Sequence, residues 1–67
     1  MRSKVEIFFV DVKTGRPRKA EHTFEVEGRS HDDLRAAARA RLERAGGKVR
    51  SVSHGARGLI VYVEVKR

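Results

Sequence analysis

Val5, Ile7 and Phe9 share one parity near the start of the chain, and Glu6, Phe8 and Val10 share the other. Both sets are rich in apolar side chains, so the spacing predicts a strand with apolar neighbours on both faces and a central place in a sheet. After KTGRPRK, Lys13 to Lys19, alternation resumes with His22, Phe24 and Val26 against Thr23, Glu25 and Glu27, and it stops at Gly28. That is the pattern of a half-buried strand. Pro17 has no N–H to give a ladder and is expected in the connection, where Thr-Gly and Arg-Pro pairs suit a turn.

The period then changes. In SHDDLRAAARARLERAGG, Leu34, Ala38, Leu42 and Ala45 fall on one face at helical spacing, within an alanine-rich run of high helix propensity. Ser30 with Asp33 has the spacing of a capping box, Asp32 and Asp33 suit the positive end of the helix dipole, and Gly46 is a natural stop. A helix over residues 31 to 45 follows. KVRSVSH and GLIVYVEVK read as two further strands joined by Gly55-Ala56-Arg57-Gly58. In the first of these, Val49 and Val52 have opposite parity, so either one points away from the core or a bulge intervenes.

These elements give an α+β domain of order ββαββ spanning residues 1–67, with a single helix packed on one face of a four-stranded sheet built from two β-hairpins. The expected inner layer is Val5, Ile7, Phe9, Phe24, Val26, Leu34, Ala38, Leu42, Leu59, Val61 and Val63. Strand order stays open. If a C-terminal strand lies beside the first strand, the central pair becomes parallel, as in grasp-type sheets. The opposite sheet face keeps Phe8, Val10, Ile60 and Tyr62, fringed by Glu6, Glu25, Glu27 and Glu64.

Composition narrows the classes. At 67 residues with no cysteine, the chain has neither a disulfide framework nor a thiolate metal site to supplement a small core. No apolar run approaches a membrane span or a signal peptide, so no membrane partner is expected and a cytoplasmic location is the default. The net charge is +7, from sixteen basic and nine acidic side chains, a balance that favours encounter with polyanions. The acids gather in residues 21–33, which hold five of them against one base.

Catalytic chemistry finds little support. Ser30, His31 and Asp32 are adjacent, and side chains one position apart on a helix diverge, so they suit a cap rather than a triad. His22, His31 and His54 come from three elements without metal-ligand spacing. No glycine stretch makes a phosphate loop. The expectation is a non-enzyme without cofactor or metal.

Two binding surfaces are the candidates. The first is basic. Lys13, Arg16, Arg18 and Lys19 cluster at the expected hairpin tip, and Arg35 and Arg39 lie on the exposed side of the helix; the expected partner is nucleic acid or ribonucleoprotein. Gly15-Arg16-Pro17 resembles the core of arms that enter AT-rich minor grooves, but Thr14 stands where a first arginine would be, and turn chemistry accounts for the three residues. The second is the open sheet face, where Phe8, Val10, Ile60 and Tyr62 form a candidate interface for a homodimer or another protein. Four fringing glutamates argue against that face as a base-stacking platform for RNA.

Overall fold

The computed structural model describes residues 1–65. In chain order the elements are β1 (Arg2–Asp11), β2 (Pro17–Lys19), β3 (Phe24–Glu27), α1 (His31–Arg44), β4 (Lys48–Gly55) and β5 (Gly58–Val65). Lys66, the last residue of the expected final strand, lies outside the described residues. The fold is α+β, with one helix against a mixed sheet whose order is β2-β1-β5-β4 and in which β3 also pairs with β1.

The sheet has five strands where the alternation suggested four, because the second strand is broken in two. Phe8 lies opposite Lys19 and Val10 opposite Pro17, while Val5 lies opposite Phe24. Glu6 and Ile7 therefore face the four residues Ala20 to Thr23, two more than a ladder can pair. Pro17 opens β2 instead of sitting in the connection. It does so at a sheet edge, where a missing N–H costs no interior ladder bond.

β1 and β5 run parallel, from Val5 opposite Leu59 to Asp11 opposite Val65. Two antiparallel pairs joined by a helical crossover place the first and last strands side by side in the same direction. The parity question in β4 resolves as a bulge. The register shifts between Val49 and Ser51, so Arg50 is the surplus residue and both Val49 and Val52 turn toward the core.

Helix α1 begins where its cap predicts. Ser30 Oγ accepts from the Asp33 N–H at 3.2 Å, and the Asp33 carboxylate accepts from the Arg29 N–H at 3.1 Å, one residue before the position a capping box would use. At the other end Gly46 N–H donates to Glu43 O at 3.0 Å and Gly47 N–H to Leu42 O at 2.9 Å. These bonds satisfy carbonyls that the last turn would leave unpaired. The helix presses Leu34 and Ala38 onto Val5, Val26, Val49, Leu59, Val61 and Val63, with Ile7, Phe9, Phe24 and Leu42 partly buried around them. Such a core makes each large aliphatic side chain worth about 2–5 kcal/mol against truncation to alanine.

Among the described residues, no helix is long and apolar enough to cross a membrane.

Candidate functional site

The connection between β1 and β2 is a four-residue turn, Val12 to Gly15, closed by Asp11 N–H donating to Arg16 O at 3.2 Å. Three side-chain and backbone bonds fix its shape. The Asp11 carboxylate accepts from Lys13 N–H at 2.8 Å, Thr14 Oγ1 accepts from Arg16 N–H at 3.3 Å, and Gly15 N–H donates to Asp11 O at 2.7 Å. Gly15 has φ 72°, a left-handed value that a side chain would resist. Gly15, Arg16 and Pro17 are thus the end of a turn and the start of a strand, with Arg16 and Pro17 opposite Asp11 and Val10.

The six cations singled out in the sequence fall into separate places. Arg18 lies opposite Phe9, which puts it on the helix-bearing face of the sheet. With Arg16 it borders a groove of about 580 Å³, floored by Phe9, Pro17 and Val65 and edged by Thr14 and Asp11. The groove exists because the helix stops short. After Arg44 the chain turns through Gly47, which lies over Val63, and enters β4, leaving the end of the sheet around Asp11 and Val65 without a roof. Arg16 and Arg18 form no ion pair among the described residues. Lys13 stands exposed in the turn.

Lys19 lies opposite Phe8 on the other face, with Nζ 3.3 Å from the Glu6 carboxylate. The partner of Lys19 thus comes from the adjoining strand and not from the loop. Arg35 and Arg39 lie near the far edge of the sheet, beside β4. Arg35 is paired with Asp32, and Arg39 Nη2 approaches Val49 O at 3.4 Å. The sheet order places them across the sheet from Arg16 and Arg18, so no single surface unites the six.

The open sheet face also differs from expectation. Phe8 and Tyr62 stack with ring centroids 5.5 Å apart and planes at 29°. Val10 is only 5% exposed, which removes it as a contact residue for a partner. It lies with Gly15, Pro17, Arg50 and Tyr62 around a shallow depression, so the chain itself covers it. Ile60, Phe8 and Tyr62 are half-buried. The glutamate fringe is neutralised: Glu6 by Lys19, Glu64 by Lys48 at 3.4 Å, and Glu27 by Arg2 at 2.7 Å, with Glu25 3.6 Å from the same guanidinium. The Glu27 hydrogen bond, followed by the Glu27 and Glu25 charges, raises the Arg2 pKa above its ordinary value. The objection that this face repels phosphate therefore loses force, although the face has also become smaller and better satisfied.

Other contacts had no signal in the sequence. Arg41 lies over the Phe24 ring, 4.4 Å from its centroid, and His31 meets His54 edge-on at 4.7 Å. Both depend on which strand the helix crosses. Among the described residues, no group of three or more histidine or acidic side chains could hold a metal. Comparison with protein-family models, curated proteins and solved structures gave no match.

Proposed function

We propose that the chain is a small non-catalytic module that binds nucleic acid, free or within a ribonucleoprotein, through the groove between the β1–β2 turn and the unroofed end of the sheet. The observation behind this reading is the convergence of Arg16 and Arg18, without ion-pair partners among the described residues, on an apolar floor that includes an aromatic ring. Guanidinium groups take phosphate oxygens, and a half-buried phenylalanine beside them offers a face to a base. The net charge of +7 adds long-range attraction.

Sequence selectivity does not follow from this arrangement. An arm reading the minor groove must extend along it, whereas Gly15, Arg16 and Pro17 are held in a hydrogen-bonded turn. AT-rich and GC-rich duplexes are expected to bind equally. Association through Phe8, Ile60 and Tyr62 is the competing reading. It rests on the Phe8–Tyr62 stack, whose half-buried rings offer a partner limited new area.

Fluorescence anisotropy with mixed-sequence nucleic acid at several salt concentrations tests the proposal. Affinity should fall steeply with salt, and replacing Arg16 and Arg18 together by glutamine should flatten the log–log slope by about one to two units. No binding at low salt, or an unchanged slope in the double variant, would remove the groove from consideration.

A further inference from the structure

Three of the residues that make the groove beside the β1–β2 turn are apolar, Phe9, Pro17 and Val65, and one is an acid, Asp11. Both facts bear on which part of a nucleic acid can enter. A phosphate on the floor would give up water for surfaces that cannot hydrogen-bond, and it would lie near a carboxylate of its own sign. Arg16 and Arg18 border the groove and form no ion pair among the described residues, so phosphates belong at its rim. The floor suits an uncharged planar group. A base has apolar faces to lay on Phe9, and its edge carries N–H groups that a carboxylate accepts. Among the described residues the Asp11 carboxylate accepts one hydrogen bond, from Lys13 N–H to Oδ1, and Oδ2 is left to accept another. The volume, about 580 Å³, lies within the range of about 300–1,000 Å³ usual for a small-molecule site.

These properties select a strand form. In a duplex each base is stacked on both faces and paired along one edge, and the helix presents phosphates and groove edges to a protein. Such a helix meets Arg16 and Arg18 but leaves the floor empty, unless a base is flipped out at the expense of its pairing and stacking. An unpaired base needs no such step. We infer that the groove seats one unpaired base of a single strand on Phe9, with the neighbouring phosphates of that strand at Arg16 and Arg18. The assignment rests on the nucleic-acid reading of the groove and narrows it from any polyanion to single-stranded nucleic acid.

Fluorescence anisotropy on the wild-type chain compares three labelled probes of about twelve units, within the usual span of a single-strand site. They are a mixed-sequence DNA strand, its duplex, and a strand of stable abasic units. Near physiological salt the single strand should bind about five- to 150-fold more tightly than the abasic strand, the range that stacking one base on an aromatic ring provides. It should also bind more tightly than the duplex. Salt weakens phosphate contacts but not stacking, so the advantage over the duplex should widen as salt rises. In proton spectra the Phe9 ring signals should shift upfield when the single strand is added and stay in place with the abasic strand. F9L, with a thermal melt to show that the fold persists, should lower the single strand to the abasic affinity and leave the abasic strand unchanged. Equal binding of the single and abasic strands, a duplex preferred at every salt concentration, or unmoved Phe9 signals would each overturn the inference. Phosphate binding at the groove would survive any of these results if R16Q/R18Q still weakened the probes. No binding of any probe at low salt would remove both. The wild-type arms decide the outcome even if F9L fails to fold.

Discussion

At one edge of the sheet, β2 and β3 span only three and four residues, β2 opens on Pro17, and the two are separated by a segment two residues too long to pair. At the other, β4 runs eight residues with one register shift, and a helix lies along it. Proline, short strands and surplus residues prevent a foreign strand from continuing a ladder. The first edge is therefore closed to strand addition, and its cations act as side chains beside a groove. The second is longer, but Arg39 already approaches its Val49 carbonyl. In a chain this basic, similar arginines meet different surroundings according to the backbone beneath them.

The strongest way to break the comparison is to undock the β4–β5 hairpin. Gly58 has φ 134°, and an added Cβ would run into the Lys4 carbonyl of β1. G58V should cost about 3 kcal/mol or more, read from urea melts, because backbone cannot move aside as a side chain can. Gly55, at the other end of the same turn, would place a Cβ 2.6 Å from Ile60 Cδ1. That is the end of a flexible side chain, so G55A should cost about 1 kcal/mol. Equal losses would mean that the hairpin is not held by its contact with β1.

A smaller effect is expected at the helix that borders β4. S30A removes the acceptor for Asp33 N–H and should cost about 1 kcal/mol, with amide exchange rising first in the initial helical turn. If stability is unchanged, another group satisfies that donor. The smallest effect sharpens the boundary of the groove. K19Q removes the Glu6 ion pair, whose lysine side chain is 54% exposed, and should change stability by less than about 0.5 kcal/mol. It should also alter the salt slope of nucleic-acid binding far less than loss of Arg16 and Arg18. A slope change as large as theirs would place Lys19 in the same site.

Much of this architecture was legible in the sequence. Helical spacing from Leu34 to Leu42, with Ser30 and Gly46 at its ends, located α1 to within a residue, and alternation assigned Val5, Val26, Leu59, Val61 and Val63 to the covered face. These are local or periodic signals. The break at Ala20 to Thr23 was hidden because His22, Phe24 and Val26 alternate whether or not His22 is paired, and only the opposing strand reveals the two surplus residues. The pairs Lys19–Glu6, Lys48–Glu64 and Arg2–Glu27 join residues whose adjacency depends on register and on the parallel β1–β5 order. Spacing along the chain contains neither. The candidate site suffered for the same reason. Lys13 to Lys19 are neighbours in sequence, but strand parity sends Arg18 and Lys19 to opposite faces, while Phe9 and Val65, assigned to a core and a strand end, floor the groove that Arg16 and Arg18 border.

Backbone amide shifts of isotopically labelled protein, recorded while mixed-sequence nucleic acid is added at low salt, test most directly whether these cations act as separate sites. The expected result is a set of shifts at Phe9 and across Val12 to Lys19, with Lys48 to Gly55 and the residues around Arg35 and Arg39 unmoved. Shifts centred on Arg35, Arg39 and β4, or on Phe8, Ile60 and Tyr62, would contradict the assignment of nucleic-acid binding to the groove beside the β1–β2 turn.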